Sequence, residues 1–148
     1  MKLLHILHTE AAGGWGGQEI RVLQETRLLL ERGHRVSLVC QAESPLEERA
    51  RSISNSRFHL IPISMKSVLN LGAFLNLYRY VSKNRLDVIH THSSVDSWLG
   101  GVVGKFSGVP VVRTRHVSLP VNNFFQTIFY IPTYPSEFSL VETPSPIL

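Results

Sequence analysis

Cysteine is nearly absent from this chain of 148 residues: Cys40 stands alone. It can close no internal disulfide and cannot build a thiolate metal cluster, so a reducing compartment is expected. Long apolar runs are missing too, since no stretch approaches the roughly 20 residues of a membrane-spanning helix. The opening run Met1–Leu7 is broken by His5 and followed by His8 and Glu10, too short for a secretory core. It reads as a buried strand, which leaves peripheral contact as the one membrane relation to expect. Neither G-x-G-x-x-G nor G-x-x-x-x-G-K-[ST] occurs, so neither a dinucleotide fingerprint nor a P-loop is indicated. Lysine and arginine disappear after Arg115. Residues 1–116 hold all 15 of them against nine of the 11 acids and carry +6, while residues 117–148 carry −2.

What is present is ordinary globular material, 43% hydrophobic and 18% charged, enough for one domain with a real core. The basic balance suits phosphate-bearing partners such as nucleotide diphosphates, polyprenyl phosphates or anionic headgroups, and is equally at home on an unengaged solvated surface. No nucleic-acid partner is expected.

Periodicity gives an alternating series. Strands are expected at Lys2–His8, Arg35–Cys40, Phe58–Ile63, Leu86–Thr91 and Val109–Thr114. Between them, a helix over residues 18–32 carries an apolar stripe of Ile20, Leu23, Leu28 and Leu30, widened by Val22 and Leu29, and Gly33 stands where a left-handed cap belongs. Pro45 opens a second helix. Ser67 is the expected cap of a third, running to about Lys83 with Val68, Leu71, Leu75, Tyr78 and Val81 on one side. Asp96 is the expected cap of a fourth that stops at Gly108. Pro62 requires its strand to lie at a sheet edge or end. Parallel strands need crossover connections, so the rhythm predicts a doubly wound α/β domain with helices on both faces of a parallel sheet. The domain is expected to span residues 1–121. Residues 122–148, with Pro132, Pro135, Pro144 and Pro146, read as an irregular proline-rich tail, and a truncation or frameshift near residue 123 is the expectation they raise.

In an open parallel sheet, ligands bind where strands end at their carboxyl edge, and three segments fall there. The loop Gly13, Gly14, Trp15, Gly16, Gly17 after the first strand can bring backbone N–H groups and a helix start towards an anion, or be a plain flexible connection. Gln18 and Glu19 behind it are read as first-turn residues that complement the helix dipole. The run His90-Thr91-His92-Ser93 ends the fourth strand, and alternation puts His90 and His92 on one face. Such a pair can ligate zinc, but no third ligand has convincing spacing, so no metal site is expected. Instead His92 and Ser93 are expected to face the crevice and bind substrate hydroxyls, with His90 deeper. Arg113-Thr114-Arg115-His116 follows the fifth strand. Its arginines could bind phosphate and its histidine could enter the cleft, or the run could be an ordinary basic edge.

In order, GGWGGQE, LLLERGHRVSLVC, DVIHTHSS and GVPVVRTRHVSLP resemble the N-terminal domain of glycosyltransferase family 4, whose members pair two Rossmann-like domains across a cleft in the GT-B architecture. The resemblance covers about residues 1–121. It implies retaining transfer of a sugar from a nucleotide-diphosphate sugar to a glycan or lipid-linked acceptor, as in envelope polysaccharide or lipopolysaccharide assembly. No cofactor or obligatory metal and no protein nucleophile are implied. By the same resemblance, His116 contacts the transferred sugar and is the catalytic candidate. Gly16 and Gly17 lie against the donor diphosphate and acceptor, His92 lines the acceptor side, and Arg113 and Arg115 serve phosphate or acceptor contact. A cytoplasmic location, at the inner face of a membrane, goes with that reading. Nothing here corresponds to the family's second, donor-binding domain, so this chain is expected to be inactive alone, or to be a noncatalytic α/β domain pairing with a separate donor-binding chain.

Overall fold

A computed structural model describes residues 2–67 and 69–114; Arg115, His116 and the expected tail lie outside the described residues. The elements are β1 (His5–Glu10), α1 (Gly17–Glu31), β2 (Arg35–Gln41), α2 (Pro45–Ala50), β3 (Phe58–Ile63), α3 (Leu71–Lys83), β4 (Val88–Thr91), α4 (Ser94–Ser107) and β5 (Val111–Arg113). The strands form one sheet in the order β3-β2-β1-β4-β5, every pairing parallel. Chain order reverses between β1 and β4, which creates the crevice where a doubly wound sheet binds ligands.

Alternation along the strands sorts the core into two layers. Leu38 and Cys40 of β2 point to one face and pack with Val22 and Leu23 of α1 and Leu46 and Ala50 of α2. Val39, between them, points to the other and joins Leu7, Ile89, Leu77, Val81 and Leu99 under α3 and α4. Each fully buried aliphatic side chain contributes roughly 1.5–3 kcal/mol. Helices on both faces of a parallel sheet are the Rossmann-like architecture that the rhythm predicts. Pro62 sits on the edge strand β3, its missing N–H turned away from the ladder.

Helix ends follow side-chain chemistry more closely than periodicity. Gly33 at φ +89° and Gly108 at φ +71° take the left-handed positions expected of them. The third helix starts later than Ser67: Asn70 caps α3 by accepting from Ala73 N at 3.0 Å. Its buried stripe is Ala73, Leu77 and Val81; Val68 lies outside the described residues, and of the rest of the expected stripe only Val81 is buried, with Leu71 67% exposed. Asp96 is not the cap of α4 but its third residue, reaching back to Ser93, which is the cap. On α1 the buried residues are Glu19, Val22, Leu23, Thr26 and Leu30, while Ile20 and Leu28 face outward. The strand β1 runs on to Glu10, past the expected end at His8, because its polar residues Thr9 and Glu10 are buried in ladder register with Val39 and Cys40. β4 and β5 are shorter than expected, losing residues before Val88 and Val111.

Candidate functional site

Three strand ends stand side by side at the carboxyl edge: β1 running into the glycine loop, β4 into His92-Ser93, and β5 ending at Arg113, the register partner of Thr91. Gly16, Gly17, His92, Ser93 and Arg113 thus leave neighbouring strands. Arg115 and His116 fall outside the described residues.

Glu10, which sequence reasoning passed over, organises the glycine loop. It is fully buried at the end of β1, accepts from Ala12 N at 2.8 Å and accepts from Gln18 Nε2 at 2.6 Å. One carboxylate therefore ties the loop's first turn to the start of α1. Burial pushes Glu10 up to about 7, opposed by the Ala12 N–H and reinforced by Asp96 nearby. Gly16 caps α1, and its N–H donates to Glu19 Oε2 at 2.7 Å. This satisfies a helix-start donor from within the chain, so an anion at this loop meets Glu19 as a competitor. A methyl at Gly13, Gly14 or Gly17 would touch nothing among the described residues. Trp15 packs its ring against Arg49 of α2, 4.1 Å from guanidinium to centroid, which pins the loop on its outer side. The groove there, about 440 Å³ and lined by Trp15, Ile20, Arg27 and Arg49, lies between α1 and α2 rather than at the sheet edge.

Asp96 performs the matching task for β4. It accepts from Thr9 Oγ1 at 2.7 Å, from His92 N at 2.9 Å and from Ser93 N at 2.8 Å, which links the ends of β1 and β4 through one buried carboxylate. Burial raises its pKa, and these donors oppose that shift. Ser93 Oγ also bonds Asp96, so the hydroxyl expected to meet substrate is engaged in the cap of α4.

The two histidines occupy the reverse of the expected depths. His92 is only 3% exposed, while His90 is half-buried and bonds Thr114 Oγ1 through Nε2 at 2.6 Å. The turn held by Asp96 carries the His92 ring over His8, with His8 Nδ1 and His92 Nε2 sharing a 2.8 Å hydrogen bond. The centroids of His8, His90 and His92 lie 4.1 to 5.1 Å apart. Burial, helped by His90, pushes His8 down to about 3, so its ring is neutral. Donor atoms of His8, Glu25, His90 and His92 all lie within 4.8 Å of one another. The further potential donors that spacing along β4 could not supply come from β1 and α1, and only the fold brings them together.

The sequence profile of Glycosyltransferase Family 4 matches residues 15–140. A UDP-Gal:alpha-D-GlcNAc-diphosphoundecaprenol alpha-1,3-galactosyltransferase from Escherichia coli is 27% identical over 117 residues, covering 76% of this chain and 30% of that protein. The chain thus spans about a third of the length of this relative. A glycosyltransferase structure from Rickettsia africae superposes with a TM-score of 0.70 at 20% identity, covering 87% of this chain and 34% of the other. For MurG from Acinetobacter baumannii the TM-score is 0.67 at 16% identity, covering 95% and 45%. At these identities the structures attest the fold.

Proposed function

The chain belongs to glycosyltransferase family 4, and on that premise we propose that it forms the acceptor-side half of a retaining glycosyltransferase. The donor is a nucleotide-diphosphate sugar, and the acceptor is a lipid-linked or envelope glycan. The observation that carries this reading is the placement of the glycine loop and the His92-Ser93 turn at adjacent strand ends, on the crevice where chain order reverses. The Escherichia coli relative's name supplies the substrate kind, UDP-Gal and a sugar on diphosphoundecaprenol. An acceptor of that type places the work at a membrane surface, on the cytoplasmic side where nucleotide sugars are made.

In this reading His116 meets the transferred sugar, and Gly16 and Gly17 lie against the diphosphate and acceptor. His92 and Ser93 border the acceptor side, and Arg113 and Arg115 offer guanidinium groups to phosphate. Retention follows from attack on the same face that the diphosphate leaves, with no protein nucleophile and no obligatory metal. Because Gly16 N–H already serves Glu19, the loop contributes shape and backbone approach more than an open anion cradle. The larger share of diphosphate stabilisation falls to a second, donor-binding domain.

The test is mass spectrometry of a polyprenyl-diphosphate-linked sugar incubated with UDP-galactose, UDP-glucose or UDP-N-acetylglucosamine and the chain joined to a donor-binding domain. The expected product carries one added sugar. His116→Ala should lower its rate on the order of 10²–10³-fold, the loss typical of a group that stabilises developing charge. Unchanged transfer by that variant removes His116 from the site; no product from any donor overturns the reading.

A further inference from the structure

Behind the crevice, the α1 face of the sheet holds a side-chain cluster that sugar transfer does not explain. His8 and His90 are register partners on β1 and β4, and His92 follows two positions later on the same face. Glu25 of α1 reaches over all three, bringing four potential donor atoms within 4.8 Å. His8 is wholly buried, and among the described residues its Nε2 has no hydrogen-bond partner although Nδ1 bonds His92. An orphaned buried nitrogen costs roughly 1–3 kcal/mol. While the His8–His92 hydrogen bond lasts, one of the two neutral rings has no lone pair to spare, so an ion held by both replaces that bond.

We propose that His8, Glu25, His90 and His92 form a zinc site that clamps α1 to the ends of β1 and β4. Three imidazoles and a carboxylate are borderline donors that suit zinc, whereas magnesium and calcium favour all-oxygen sets. Tetrahedral zinc holds N and O donors at about 2.0–2.2 Å, hence about 3.3 Å from one another. Their donor atoms, within 4.8 Å of one another, would have to draw in to that spacing when an ion binds. Four protein ligands leave no open coordination position, so the ion is structural rather than catalytic. The inference does not depend on the sugar-transfer reading, since binding is measured on the chain itself.

Calorimetric titration of the 148-residue chain with Zn²⁺, with Co²⁺ as spectroscopic substitute, tests it. The expected result is one ion per chain, a tetrahedral cobalt spectrum and no comparable response to Mg²⁺. His8→Gln and Glu25→Gln should each weaken zinc binding about tenfold or more. His59→Gln, at an exposed histidine of β3 outside the cluster, should leave it unchanged. Glu25 is half-buried on a helix, so its glutamine variant keeps a folded protein to measure if His8→Gln does not fold. No zinc bound by the folded chain, or undiminished affinity in folded Glu25→Gln, overturns the site.

Discussion

Single carboxylates decide how the strand ends are held. Glu10 fastens the glycine loop by two hydrogen bonds, and Asp96 fastens the turn after β4 by three and the end of β1 by a fourth. Removing the Glu10 side chain leaves Ala12 N–H without its acceptor inside the fold. Glu10→Ala should therefore cost about 1–3 kcal/mol and speed amide exchange across residues 12–16 while the helices stay protected. Uniform exchange rates in variant and wild type would contradict the anchoring role. At the other end of β1, Asp87 accepts from His5 N at 2.8 Å and from Lys2 Nζ at 3.0 Å. The His5 N–H, then Lys2, hold its carboxyl below the ordinary 3.8. A depressed folded-state pKa gives stability that is full above the unfolded value and is lost as pH falls through the folded one. Asp87→Asn should accordingly flatten the acid limb of stability below about pH 4 and leave the slope near neutrality unchanged. Acid titrations followed by circular dichroism check this, and superimposable acid limbs would count against it.

Elements show how a close approach of backbones can outrank propensity. Glycines are poor helix formers, yet Gly100, Gly101 and Gly104 all sit buried within α4. A Cβ on Gly100 would stand 2.7 Å from Thr91 Cγ2, and one on Gly104 would collide with Val111 and lie 2.9 Å from the Val109 carbonyl oxygen. The small face of α4 lets the helix lie directly on β4 and β5. Gly104→Ala gains about 1 kcal/mol of helix propensity but overpacks against a backbone oxygen that cannot rotate away, a cost of about 1–3 kcal/mol. Net destabilisation is expected, read as a lower urea midpoint at unchanged m-value; a stabilised variant would show that the sheet yields. The sequence made α4 and its end at Gly108 legible because glycine alone tolerates φ +71°. It misplaced the starts of α3 and α4 by three residues each, because Ser67, Asn70, Ser93 and Asp96 are all good caps, and tertiary placement selects among them.

For the whole molecule, order along the chain was readable and order across the sheet was not. Alternating strands and helices announced the Rossmann-like class, and the segments at strand ends marked the carboxyl edge. The partnership of His8 with His90, the reach of Glu25 over both and the hold of Asp96 on Thr9 depend on β1 lying beside β4, more than 70 residues apart in sequence. Charge is a molecular property of the same kind. The arginines and lysines of the described residues lie on many elements, Arg21 and Arg27 on α1, Arg49 on α2, Arg79 and Lys83 on α3, Lys105 on α4, rather than on one patch. Among the described residues only Lys2 with Asp87 and Arg51 with Glu47 form ion pairs, and no helix there is long and apolar enough to cross a membrane. A dispersed positive field attracts an anionic surface by about 1 kcal/mol for each cation brought near it. Screening within about 10 Å at 0.1 M salt and 3 Å at 1 M removes that attraction. The chain should therefore sediment with phosphatidylglycerol vesicles at low salt, ignore phosphatidylcholine vesicles, and be released as salt approaches 1 M. Apolar insertion has its own candidate in Leu69 and Leu71, 88% and 67% exposed before and at the start of α3, and it is insensitive to screening. Binding that persists at high salt and falls in a Leu69→Ser, Leu71→Ser double variant would replace the electrostatic account with insertion at that corner.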